Sequence, residues 1–119
     1  MNIKYNPFTE EFENSQEIPL VTLNNPSGRI ILSPSKIYGI VNLTNRISIM
    51  PNFDDIPKKQ QVLEFNIVTG SNGCGSIGFP SGFSFANGYV FNPAAPNKIY
   101  NFRIDSLSHM IIVNEADRV

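Results

Sequence analysis

The chain of 119 residues has one cysteine, Cys74, one histidine, His109, and no tryptophan. A lone cysteine excludes an intrachain disulfide framework and any zinc site built from cysteines. Charge is scarce: 16% of residues are Asp, Glu, Lys or Arg, against roughly 25% in typical soluble proteins. Nine basic residues against ten acidic ones leave a net charge of −1, so there is no electrostatic footprint for nucleic acid. No stretch approaches the roughly 18 consecutive apolar residues of a membrane span. The N-terminus has no basic segment leading into an apolar one. The expectation is therefore a route to its destination other than signal-directed secretion.

Polarity is supplied instead by uncharged side chains, with fifteen Asn and eleven Ser. Such a surface suits a protein that shares much of it with neighbours, or one that works outside a cell. The length allows one domain with a real core and little room for a second.

One phrase is written twice. Pro34-Ser35-Lys36-Ile37-Tyr38-Gly39-Ile40 recurs as Pro96-Asn97-Lys98-Ile99-Tyr100-Asn101-Phe102, and each copy is followed by a second apolar run, Ile47 to Met50 or Met110 to Val113. A repeated turn-strand-turn-strand unit predicts two halves with equivalent β-hairpins. Other segments agree. Ile18–Leu23 and Gly28–Leu32 flank Asn24-Asn25-Pro26-Ser27, a strong turn signal. Val62 to Thr69 alternates, with Leu63, Phe65 and Ile67 on one face. Asn87-Gly88 is a hairpin-type turn dipeptide. No window of ten residues shows helical periodicity free of Pro or Gly. The fold expected is all-β: a compact, antiparallel, jelly-roll-like β-sandwich over residues 18–119. Its predicted core holds Ile40, Ile47, Ile49, Leu63, Phe65, Ile67, Phe102, Ile104, Met110 and Ile112.

Residues 1–17 differ from the rest, with one Lys against four Glu and with Ile3, Tyr5, Phe8 and Phe12 too sparse for a helix face or a strand. Asn6-Pro7 favours an extended or turn conformation. Aromatics are unusual in a disordered tail, so this segment reads as an extended arm that docks, with Tyr5, Pro7, Phe8 and Phe12 as its anchors.

Motifs that suggest chemistry have simpler readings. Gly73-Cys74-Gly75-Ser76-Ile77-Gly78 matches G-x-G-x-x-G, but Phe79-Pro80-Ser81-Gly82 cannot open the helix that a dinucleotide site requires. The glycines read as a flexible connection. Asn42-Leu43-Thr44 is a formal glycosylation sequon read as a turn. His109 has no nucleophile or carboxylate motif around it. Asp54-Asp55 lacks the alternating oxygens of a calcium loop. No catalytic residue, metal site or cofactor is expected. Phe79, Phe83, Phe85, Tyr89 and Phe91 fall within thirteen residues. They read chiefly as core, with Tyr89 and Phe91 as candidate glycan contacts should they face solvent.

Lys4-Tyr5-Asn6-Pro7-Phe8-Thr9 resembles the "YNPFTG-x-(L/F)-D" start shared by many bacteriophage virion proteins, with Glu10 replacing the glycine and Glu13 near the aspartate. The body is similar to the small β-domain of head-fibre and tail-associated proteins of Bacteroidetes and crAss-like phages. The segments that carry the likeness are Glu64 to Gly70, Ile77 to Gly88 and Pro96 to Val113. Phe85 stands where that family often carries Trp. The resemblance implies a head-fibre or capsid-decorating protein located in the virion. It would be a homo-oligomer, typically a trimer, whose residues 1–17 hold the major capsid or another virion protein. A tail-associated module that binds a host surface glycan is the alternative. Neither nucleic acid nor membrane is an expected partner.

Overall fold

Asn- and Pro-rich turns punctuate short apolar runs along the chain, and most of these runs become strands. The computed structural model describes residues 3–6, 11–14, 19–53 and 60–118. Among them are eleven strands: β1 (Ile3–Asn6), β2 (Glu11–Asn14), β3 (Leu20–Asn24), β4 (Gly28–Leu32), β5 (Ile37–Val41), β6 (Ile47–Pro51), β7 (Val62–Val68), β8 (Ile77–Gly78), β9 (Ser84–Phe85), β10 (Lys98–Asp105) and β11 (Met110–Asp117). The only helical element among these residues is a 3₁₀ turn at Ala86–Gly88. The all-β expectation is met.

The strands form a six-stranded sheet in the order β3-β5-β7-β10-β11-β9, a three-stranded sheet in the order β4-β6-β8, and a separate β1-β2 pair. The pairing is not antiparallel throughout. β3, β5 and β7 run parallel, and so do β4, β6 and β8. Consecutive strands β3 to β8 alternate between the two sheets, so the chain winds as a flattened coil of three turns. Only then does it reverse, when β10 pairs antiparallel with β7 and β11 with β10. β9 closes the sheet parallel to β11.

This winding corrects the expected antiparallel, jelly-roll connectivity. The turns at 25–27 and 42–46 are arches that carry the chain from one sheet to the other, not hairpins within one sheet. The repeated Lys-Ile-Tyr phrases do not open equivalent hairpins either. Their strands, β5 and β10, flank β7 in the same sheet and run in opposite directions, placing Tyr38 and Phe102 on either side of Phe65. Asn87-Gly88 lies in the 3₁₀ turn rather than between paired strands. The expected extended arm also differs. Ile3–Asn6 and Glu11–Asn14 pair antiparallel, with Tyr5 opposite Phe12.

Asparagine chemistry builds the first corner. Asn25 and Asn42 adopt φ of 45° and 54°, a left-handed region that Asn tolerates better than most residues. Asn42 Nδ2 donates to Asn24 Oδ1 at 3.2 Å, one coil turn away. Asn25 Oδ1 accepts from Thr44 N at 3.0 Å, Thr44 Oγ1 at 3.2 Å and Asn45 Nδ2 at 3.2 Å. Backbone bonds continue the ladder through the bends: Asn25 N to Val41 O, Gly28 N to Arg46 O and Gly75 N to Leu43 O.

One core lies between the sheets. Leu32, Ile47 and Ile49 of the smaller sheet meet Tyr38, Ile40, Leu63, Phe65, Ile67, Tyr100, Phe102, Ile104 and Ile111 of the larger. Phe65 and Phe102 stack at 4.8 Å. β5 is buried along its whole length, as expected for an interior strand covered on both faces. Of the predicted core, Met110 is only half-buried and Ile112 is 47% exposed, while Ile111 is buried at 1%. The cross-strand pairing of Ile104 with Ile111 sets this phase.

Candidate functional site

The aromatic segment after β8 gathers where the edges of the two sheets, β8 and β9, are open. Phe79 lies centrally, at 5.3 Å from Phe102, 4.9 Å from Phe85 and 6.0 Å from Phe91. Phe91 meets Tyr100 edge-on at 4.9 Å. These rings extend the core stack outward and are half-buried. They line a groove of ≈ 340 Å³ together with Ile77, Tyr89, Val90 and Pro93. Val90 is 83% exposed at its rim. Of the two candidate glycan contacts, Phe91 belongs to the margin of the core, whereas Tyr89 sits further out, 5.6 Å from the Phe85 ring. The Tyr89 hydroxyl donates to Glu115 Oε2 at 2.9 Å. Burial, then the hydrogen bond and charge of Glu115, push that phenol well above its ordinary range.

The expected docking residues divide. Tyr5 and Phe12 are opposite each other in the β1-β2 pair; Pro7 and Phe8 lie outside the described residues, as does the Asp54-Asp55 pair. His109 is exposed at φ 56°, with its ring against Phe83 at 4.9 Å. Burial pushes the Cys74 thiol up to about 11, so at neutral pH it is a protonated, poorly reactive group. Among the described residues, no group of three His, Cys, Asp or Glu is placed to hold a metal ion.

No helix opens after Gly78, and the glycines before it are anything but a flexible connection. A Cβ on Gly75 would lie 2.0 Å from Asn45 O, and one on Gly73 2.1 Å from Pro93 O. These positions are glycine because backbones touch there. Asn42-Leu43-Thr44 is the expected turn, with Leu43 buried at 3%.

A second grouping was not singled out from sequence. On the face of the six-stranded sheet opposite the core, Glu64 and Asn66 of β7 meet Asn101 and Arg103 of β10. Asn101 Nδ2 donates to Glu64 Oε2 at 3.0 Å and to Asn66 Oδ1 at 2.9 Å. Arg103 Nε lies 3.6 Å from Glu64 Oε1. The signal was available in the alternation of both strands, because residues between Leu63, Phe65 and Ile67, and between Tyr100, Phe102 and Ile104, must share the outer face. What the alternation lacks is the register that brings the two pairs together.

No family model, curated protein or solved structure matches the chain.

Proposed function

We propose that the protein is a structural component of a bacteriophage virion, a head fibre or capsid-decorating protein anchored by residues 1–17. Residues 18–119 would form its projecting, sandwich-like β-domain. The observation that carries this reading is the pairing of the N-terminal strands in a sheet of their own. β1 and β2 pair only with each other among the described residues and belong to neither sheet of the body, as an appended attachment element requires. Lys4 to Asn6, the start of the segment that resembles phage virion proteins, lies in β1. Tyr5, Phe8 and Phe12 are the apolar anchors of residues 1–17, and Pro7 restricts the backbone so that less entropy is lost on docking. Each well-buried aromatic contributes on the order of 2 kcal/mol, and a trimer multiplies the hold through multivalency. The outer edge of β4, which ends the three-stranded sheet, is a surface that self-association would cover.

The test is removal of residues 1–17. The truncated chain should remain folded and all-β by circular dichroism, yet be missing from purified particles. Assembly of the truncated chain onto particles at normal occupancy would overturn the anchoring role.

A second reading is a tail-associated receptor- or carbohydrate-binding module. The half-buried rings around the Tyr89–Phe91 groove favour it, since aromatic faces stack on sugars. Glycan binding lost in Tyr89→Ala and Phe91→Ala would select this reading, and binding by neither the parent nor the variants would remove it.

A further inference from the structure

The outer face of the six-stranded sheet carries a row of three amides. Asn66 of β7 is opposite Asn101 of β10, which is opposite Asn114 of β11. One step along the strands, Glu64 is opposite Arg103. Glu64 and Asn66 are only 5% and 4% exposed, an unusual degree of burial for a carboxylate and an amide that do not face the core. Burying them is unfavourable unless their hydrogen bonds are met, and here they are met in a way that fixes direction. Both hydrogens of the Asn101 amide are used, one on Glu64 Oε2 and one on Asn66 Oδ1. Its Oδ1 is therefore held as an acceptor. Asn66 Nδ2 is tied to Tyr38 O at 3.4 Å.

Around this fixed floor are groups with capacity to spare. The 3.6 Å separation of Arg103 Nε from Glu64 Oε1 exceeds a normal hydrogen bond, and the Arg103 side chain is 44% exposed. Asn114 is exposed. Ile99 and Ala116, paired across β10 and β11, supply an apolar strip on the same face. The groove they enclose measures ≈ 230 Å³, below the roughly 300–1,000 Å³ of sites for drug-sized ligands.

From this we infer that the groove binds one ring of a neutral saccharide. Fixed acceptors (Asn101 Oδ1, Glu64 Oε1) beside donors (Arg103, Asn114 Nδ2) match neighbouring hydroxyls, each of which both donates and accepts. The sugar's C–H face would rest on Ile99 and Ala116. The carboxylate of Glu64 stands beside the one guanidinium, Arg103, and this balance leaves no net positive charge to attract phosphates, nucleic acid or acidic sugars. The site is separate from the Tyr89–Phe91 groove and does not depend on where the chain is assembled.

The experiment uses the full chain on an array of immobilised neutral and acidic glycans, followed by titration calorimetry with the best neutral saccharide. Asn114→Ala and Arg103→Gln should each weaken binding about five- to tenfold, the equivalent of one lost hydrogen bond. Asn114→Ala, at an exposed position, should keep the parent melting temperature. Tyr89→Ala should bind as the parent does. The inference is overturned if the parent binds no neutral glycan, or prefers acidic glycans or a peptide. It is overturned equally if binding survives both groove variants or is lost only in Tyr89→Ala. If Glu64→Gln merely unfolds the protein and the parent binds no sugar, the network is structural only.

Discussion

Asn25 receives both the backbone N–H and the hydroxyl of Thr44 on a single side-chain oxygen, at 3.0 and 3.2 Å. The two residues belong to successive turns of the coil, so this contact holds one arch on the next. Asn25 also sits at φ 45°, which makes the residue doubly suited to its place. Asn25→Ala should destabilise the fold by about 2–3 kcal/mol, combining lost hydrogen bonds with the left-handed backbone penalty. Asn25→Gly removes the hydrogen bonds but not the conformational fit, and its loss should be smaller by about 1 kcal/mol. Urea unfolding of the three proteins checks both figures. Equal stability of all three would remove Asn25 from the account of the corner.

Gly75 and Gly28 separate crowding from conformation. A Cβ at position 75 would collide with the Asn45 carbonyl at 2.0 Å, whereas one at position 28 meets nothing within 4 Å and suffers only from φ 75°. Gly75→Ala should cost about 3 kcal/mol or more through forced backbone displacement, and Gly28→Ala about 1–2 kcal/mol. Thermal melts giving the reverse order would contradict the stacking of the second and third coil turns.

Ile111 and Ile112 test the phase of β11. Ile111→Ala should cost about 2–5 kcal/mol as a core truncation; Ile112→Ala, on the exposed face, should stay within about 0.5 kcal/mol. Chemical denaturation distinguishes them, and a larger effect at Ile112 would mean that the strand is paired one residue out of step.

The phase of β11 also shows where sequence reading stops. Met110-Ile-Ile-Val113 has no polar residue to mark a face, so nothing local tells Ile111 from Ile112. In β7 the interleaved Glu64 and Asn66 made the inward set Leu63, Phe65 and Ile67 legible. The direction of pairing was not legible, because Asn-rich turns serve an arch between sheets as well as a hairpin within one. Only long-range register distinguishes them. The candidate site followed the same rule. Tyr89 and Phe91 stand together in sequence and were found together. The Glu64–Asn101–Arg103 grouping depends on β7 meeting β10 across the 29 residues that separate the two strands.

Asp105 links the β10–β11 turn to pH. Its carboxylate accepts from Ser108 N at 3.0 Å and Leu107 N at 2.8 Å, and Gln60 donates to its other oxygen. The Ser108 N–H first, then Gln60 and the Leu107 N–H, hold its pKa below the ordinary value. A depressed folded-state pKa gives stability that is complete above the unfolded value of roughly 3.9 and is lost as pH falls through the folded value. Asp105→Asn should therefore be less stable than the parent at neutral pH, with the difference narrowing below about pH 4. Melting temperatures between pH 7 and pH 2.5 measure this, and a constant difference over that range would assign the effect to packing alone.

The most direct test of the functional account is the position of the chain in a particle. If the proposed function holds, peptide mapping and a cryo-EM reconstruction of purified virions from a host that expresses the chain should find it on the capsid. Residues 1–17 should be buried in the shell, the two-sheeted body should project outward, and copies should be grouped in threes. Purified particles that lack the chain, or that hold it by the β-domain with residues 1–17 free of contact, would contradict the account.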